Sequence, residues 1–131
     1  MKTLIVDDES TSRMILEESL KQYGQVHIAV NGVEAVEAAR AAIENDDSYD
    51  LICLDIMMPE MDGHSALDII RETERKHGVV PGRGAKVVMT TCMDDPTSIL
   101  EAFGEQCEYY LVKPIDMPKL TDYLRKTNLI A

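Results

Sequence analysis

Four short strand-like runs each end in groups that could do chemistry together. Leu4-Ile5-Val6 runs into Asp7-Asp8-Glu9, and Leu51-Ile52-Cys53-Leu54 runs into Asp55. Val87-Val88-Met89 ends in the hydroxyls of Thr90 and Thr91, and Glu108 to Val112 is closed by Lys113-Pro114. Carboxylates, a hydroxyl and an ammonium are the parts of a phosphoryl-transfer site. They supply an oxygen that accepts the group, anions that hold a cation, and donors to the phosphoryl oxygens. Three carboxylates brought close together repel, by up to ~4 kcal/mol per close pair at an effective dielectric of about 20. They need a cation or strongly shifted pKa values. Oxygen ligands at that charge density suit Mg²⁺, which keeps waters that an incoming phosphate can replace. No Walker A loop is present, so a nucleotide is not the expected donor.

Whether these groups meet depends on the elements that carry them. Each alone has a plainer reading: Asp7-Asp8 or Asp55 as a helix cap, Lys113 as a surface lysine, Tyr110 as a strand aromatic half in the core. The apolar run before Asp55 is bounded by Pro59 and Asp62-Gly63, so it reads as a buried strand. Between Asp8 and Gly24 the spacing predicts a helix with Met14, Ile15, Leu20 and Tyr23 near one face. Val26 to Val30 reads as a strand. Asn31 caps a helix with Glu34 at the capping-box position and Val33, Val36 and Ile43 as its apolar stripe. Residues 44–48 read as a solvated loop. Asp62-Gly63 opens a helix with Leu67 and Ile70 inward and Arg71, Glu74 and Arg75 outward. His77 to Gly84 is a Gly-rich loop. Asp95-Pro96 starts a helix, with Ile99 and Phe103 on its apolar side. Asp116 caps the last helix, with Ile115 and Leu120 as a hydrophobic staple.

Strand and helix therefore alternate five times, which implies one α/β domain with a parallel sheet and helices on both faces. In such a sheet all carboxyl ends share one edge, where ligands bind. That edge would collect Asp7, Asp8, Asp55, Thr91 and Lys113.

The chain of 131 residues carries a formal net charge of −11. This argues against nucleic acid or an anionic membrane as the main partner. Cys53, Cys92 and Cys107 lie in apolar contexts without Cys-x-x-Cys spacing. They read as reduced thiols of a cytoplasmic protein rather than a disulfide framework or zinc site. The run from Leu4 to Val6 is too short for a signal peptide or membrane span.

The joint occurrence of Asp7-Asp8, Asp55, Thr91 and Lys113-Pro114 resembles the receiver domain of two-component response regulators, in its single-domain CheY-like class. Ile5-Val6-Asp7-Asp8-Glu9, the stretch Leu54 to Gly63, and Tyr110-Leu111-Val112-Lys113-Pro114 carry the resemblance, which covers essentially the whole chain. It implies that residues 1–131 form one flavodoxin-like, doubly wound, five-stranded parallel sheet of order 2-1-3-4-5. It makes Asp55 the acceptor of phosphate from a phosphohistidine on a sensor histidine kinase or histidine phosphotransfer protein. Mg²⁺ would be held by Asp7, Asp8, Asp55 and the backbone carbonyl of Met57. Thr91 and Lys113 would contact the phosphoryl group, and Tyr110 would be the switch aromatic. The Lys113-Pro114 bond would be cis. The face made by the fourth helix, fifth strand and fifth helix, with Ile99, Phe103 and Tyr110, would meet an output protein. Met57 and Met93 would flank the phosphoryl group and shield it from water, which implies slow loss of phosphate.

Counting back from Lys113 favours Thr91 over Thr90 as the hydroxyl, although a one-residue shift of the strand would exchange them. On phosphorylation Thr91 would move toward the new charge and Tyr110 would rotate into the space it leaves. Two departures from the family stand out. Gln106-Cys107 replaces the usual Gly-Ala, and the 77–84 loop is longer than in the shortest members, at the edge opposite the site. No residues follow Ala131 to form an effector, so output is expected in trans, with phosphorylation-dependent homodimerisation also open. Two other readings stand beside this one. An Asp-nucleophile, Mg²⁺-dependent phosphohydrolase of haloacid-dehalogenase type would need an Asp-x-Asp pair, where this chain has Asp7-Asp8. A phosphate sink would bind no output target.

Overall fold

The wholly buried strand β3, Leu51–Asp55, forms the middle of the sheet in a computed structural model that describes residues 1–92 and 107–131. All of its side chains are buried because helices cover both faces of the sheet, so an uninterrupted apolar run is the sequence this position requires. Around it lie β1 (Lys2–Val6), β2 (Gln25–Ala29), β4 (Lys86–Thr91) and β5 (Tyr109–Val112), all parallel, in the order β2-β1-β3-β4-β5. The expected order and two-sided covering are both present. The register pairs Val6 with Leu54, Leu54 with Met89, Asp55 with Thr90, and Thr91 with Val112. It therefore brings the carboxyl ends of the strands level along one edge.

Alternation along the strands divides the core. Leu4, Val6, Ile52, Leu54, Val87 and Met89 face α2 (Gly32–Glu44) and α3 (Gly63–Lys76). Ile5, Cys53, Val88 and Leu111 face α1 (Ser10–Leu20) and the C-terminal helix (Met117–Lys126). Each fully buried Leu or Ile contributes about 1.5–3 kcal/mol. The caps form as expected. Asn31 Oδ1 accepts from Glu34 N at 2.8 Å, Asp62 Oδ1 from Ser65 N at 2.8 Å, and Asp116 Oδ1 from Lys119 N at 3.2 Å. Ile115, half-buried, packs against the core cluster that contains Leu120.

Several sequence expectations are corrected. Met14 and Ile15 are 63% and 46% exposed, and α1 turns Ser12 and Leu16 inward in their place, beside Leu20 and Tyr23, which pack inward as expected. The buried stripe of α2 is Ala35, Val36, Ala39 and Ala42, with Val33 and Ile43 only half-buried, so the small residues let α2 and α3 pack closely. Strand β2 begins and ends one residue earlier than expected, and β5 begins at Tyr109.

The largest correction concerns Arg71 and Glu74, which are 7% and 6% exposed rather than outward. Arg71 donates to Glu74 Oε1 at 2.9 Å, to the Ala85 carbonyl at 2.8 Å, and to both oxygens of Glu108 at 3.0 Å. Glu74 Oε2 accepts from Ala85 N, and Glu108 Oε2 from Val87 N. This ion cluster ties the end of α3 to the starts of β4 and β5. It lines a cleft of about 320 Å³ with Val79, Val80 and Pro81 of the 77–84 loop, at the edge opposite Asp55. Arg75 is exposed, as expected, and pairs with Glu72. The expected helix start at Asp95-Pro96, together with Met93, Ile99, Phe103 and Gln106, lies outside the described residues.

Candidate functional site

Asp55 is placed by backbone on both sides of it. The next amide, Ile56 N, donates to the Thr90 carbonyl at 2.9 Å, extending the β3–β4 pairing past the strand. Gly63 N donates to the Ile56 carbonyl at 2.8 Å, which closes the β3–α3 loop at its base. A Cβ on Gly63 would stand 2.3 Å from the Asp55 carbonyl oxygen, so only glycine allows α3 to start this close to β3.

Asp55 is 4% exposed and Asp7 is fully buried. Asp8 is exposed. One carboxylate oxygen from each of the three lies within 4.8 Å of the others. Lys113 Nζ stands 2.9 Å from Asp7 Oδ2 and 3.3 Å from Asp55 Oδ2. Asp7 Oδ1 accepts from Glu9 N at 2.9 Å, and Asp55 Oδ1 from Met57 N at 3.3 Å. Asp7 Oδ2 is buried without a directed hydrogen bond, so its contact with Lys113 is ionic. Burial pushes the Asp55 carboxyl up to about 6, the Asp7 charge adds to this, and Lys113 opposes it. Burial pulls Lys113 down, but Asp7 and Asp55 outweigh it and hold the ammonium above its ordinary range.

Three carboxylates, two of them buried, against one ammonium leave an excess of negative charge. The hard-oxygen donor set fits a Mg²⁺ ion, with Asp7 Oδ2 held by its ionic contact to Lys113 and by no hydrogen bond among the described residues. Met57, whose carbonyl was expected to join them, lies in the loop just beyond Asp55 with its side chain 54% exposed.

The two candidate hydroxyls point to different sides of the sheet. Thr90 pairs with Asp55 in the register and shares its face. Thr91 lies two residues beyond Met89 and so shares the face of Tyr110, which packs half-buried against the α2–α3 side of the core. Both threonines are buried, and Lys113 N donates to the Thr91 carbonyl at 2.6 Å. The Lys113-Pro114 bond is cis, as expected. His77 caps the end of α3, and His64 is half-buried in its first turn.

The structure adds residues that sequence reading had left aside. The guanidinium of Arg13 donates to the Asp7 carbonyl at 2.8 Å, and Ser12 Oγ to Glu9 Oε1 at 2.7 Å. Their only signal was their place in the first turn of α1, directly after the acidic run. A cleft of about 300 Å³ opens beside the site, lined by Glu9, Ser12, Ile15, Cys92, Lys113 and Pro114. Cys53, Cys92 and Cys107 are all free thiols. Among the described residues no helix is long and apolar enough to cross a membrane.

The response regulator receiver domain family matches residues 3–125. The chain is 30% identical over 128 residues to the chemotaxis protein CheY of Bacillus subtilis, covering 96% of each chain. It is 36% identical over 112 residues to the transcriptional regulatory protein SrrA of Staphylococcus aureus, covering 85% of this chain and 41% of SrrA. Among solved structures, the CheX–CheY–BeF3–Mg²⁺ complex of Borrelia burgdorferi is similar with a TM-score of 0.80 at 25% identity, covering 100% of this chain and 90% of that one. The chain belongs to the receiver-domain family of two-component response regulators and is CheY-like in fold.

Proposed function

We propose that residues 1–131 act as one receiver domain, which takes a phosphoryl group on Asp55 from a phosphohistidine of a sensor kinase or phosphotransfer protein. The observation that carries this reading is the Asp7–Asp8–Asp55 cluster with Lys113 bridging two of its members. A carboxylate oxygen of Asp55 attacks the phosphorus, a new P–O bond forms, the P–N bond breaks, and the imidazole leaves with the electron pair. Lys113, 2.9 Å from Asp7 and 3.3 Å from Asp55, would meet the charge that develops on the phosphoryl oxygens. Asp7, Asp8, Asp55 and the Met57 carbonyl would hold Mg²⁺, which supplies charge neutralisation to the transferring group when bound.

Thr91 is assigned the switching hydroxyl because it shares a face with Tyr110, whereas Thr90 does not. Movement of Thr91 toward the phosphoryl group would open space on that side, and Tyr110 would fill it. The consequence is a changed surface around β5, with a separate output protein or a second copy of the chain as its reader. Ile99 and Phe103 remain assigned to that surface on sequence grounds. Self-phosphorylation and phosphate loss are the chain's only chemistry in this scheme, and the free thiols suit a cytoplasmic setting. The phosphohydrolase alternative would need an Asp-x-Asp pair, whereas Glu9 and Met57, not aspartates, stand two residues after Asp7 and Asp55.

Incubation with a small phosphodonor and Mg²⁺, followed by intact mass, tests the scheme. One added phosphate is expected in the wild type and none in Asp55→Asn. Uptake that persists in Asp55→Asn would overturn the assignment.

A further inference from the structure

We infer that the turn from β2 into α2 braces the acid cluster, and that Gly32 is a positioning residue setting the height of the β3–α3 loop; this rests on the reading of the site proposed above. The turn touches the cluster from two directions. On one side the Ala29 carbonyl accepts from Asp7 N at 3.2 Å, just past the end of the β1–β2 ladder. On the other, Gly32 is pressed against the loop: a Cβ there would lie 2.4 Å from the Met61 carbonyl oxygen and 2.9 Å from Met61 Cβ. The turn itself is held firmly. Asn31 Oδ1 accepts from Glu34 N at 2.8 Å, and Glu34 Oε1 accepts from Val30 N at 3.0 Å.

The loop is equally constrained. Gly63 N bonds the Ile56 carbonyl at its base, Met61 N bonds the Pro59 carbonyl at 2.8 Å, and Glu60 holds a left-handed φ of 69°. Met57 lies inside this closed loop. A loop shut at its base and pressed on its far side can lift only as a unit. The contact at Gly32 therefore governs where the Met57 backbone sits relative to Asp55 and Asp7.

Gly32 is the first residue of α2, and its backbone is not in the left-handed region. Alanine there is locally allowed and is a better helix former than glycine. The collision is with a backbone oxygen, which no side-chain rotation relieves. Gly32→Ala should therefore keep α2 while lifting the loop. Residues that orient the ligands of a metal site typically change its affinity by about 10–100-fold when altered.

The test compares the wild type, Gly32→Ala and Ala41→Gly, the last weakening α2 at an exposed position away from the loop. Mg²⁺ affinity is read by calorimetry, and backbone amide exchange of Ile56, Met57 and Gly63 is read on metal-free protein. Gly32→Ala is expected to bind Mg²⁺ about tenfold more weakly and to exchange faster at those amides, while Ala41→Gly matches the wild type in both. Should Gly32→Ala fail to fold, Gly32→Ala with Glu60→Gly carries the same expectation, because glycine at the left-handed position lets the loop retreat. Wild-type affinity and exchange in the Gly32 variant would overturn the inference, as would an equal loss in Ala41→Gly. If the wild type binds Mg²⁺ and takes phosphate, such a result fells the inference alone. If the wild type does neither, the reading of the site falls, and the inference with it.

Discussion

Replacing Asp55 by Asn should stabilise the metal-free protein. The carboxyl of Asp55 is pushed from its ordinary 3.8 to about 6, first by burial and then by Asp7, against the pull of Lys113. An acid whose folded-state pKa is raised keeps its proton to higher pH when folded than when unfolded. Stability therefore falls as pH rises from 3.8 to about 6. Above that window the cost is complete, and below it the cost is absent. At ~1.4 kcal/mol per pKa unit the shift corresponds to a ceiling of about 3 kcal/mol at pH 7. Water at the open edge of the site screens part of this, and asparagine forfeits the attraction of Lys113, so about 1–2 kcal/mol is expected. Lys113 keeps Asp7 as its partner at 2.9 Å, so it is not stranded by the change. Urea unfolding in a chelator, followed by circular dichroism between pH 4 and pH 7, measures the difference. Asp55→Asn should be the more stable at neutral pH, and the gap should close as pH drops to about 4, where the wild type carries a neutral Asp55. Excess Mg²⁺ should stabilise the wild type more than the variant. A variant less stable than the wild type at pH 7 without metal, or a gap that widens on acidification, would refute the reasoning.

Arg71→Ala should destabilise the fold by about 3–5 kcal/mol in urea unfolding, because Glu74 would be left buried, and Glu108 half-buried, without their cation; a loss under ~1 kcal/mol, the size of a surface pair, would show that solvent reaches the cluster. Thr91→Ala should take phosphate on Asp55 at close to the wild-type rate, read by intact mass, yet lose phosphorylation-dependent capture of its partner. Undiminished capture would remove Thr91 from the switch. Met57→Asn should shorten the lifetime of the phosphorylated protein severalfold, since a polar side chain in place of an exposed thioether can orient water at the site. Phosphate decay followed by mass, unchanged in the variant, would leave Met57 without a shielding role.

Asp7, Asp8, Asp55 and Lys113 were legible in the sequence because each closes a short strand-like run. Alternating strands and helices leave a parallel sheet as the natural arrangement, and a parallel sheet brings all those ends to one edge. The caps at Asn31, Asp62 and Asp116 were legible for a similar reason, since capping depends on residues within one turn. The inward face of α1 was not. Apolar spacing pointed to Met14 and Ile15 and passed over Leu16, and only the packing of α1 against β1 and the C-terminal helix turned Leu16 inward. Arg71 and Glu74 were read as outward because helix periodicity says nothing of a loop that later folds over them. Glu108, the second carboxylate that Arg71 holds, lies 37 residues beyond it. The approach of Gly32 to Met61 was equally hidden, since it joins the start of one helix to the loop before another. Sequence alone thus determined which chemical groups stand at the site and which elements carry them, because those follow from local pattern. Burial, ion pairing across the sheet and the fit of one backbone against another were decided only by tertiary structure, because they depend on contacts between segments far apart in the chain.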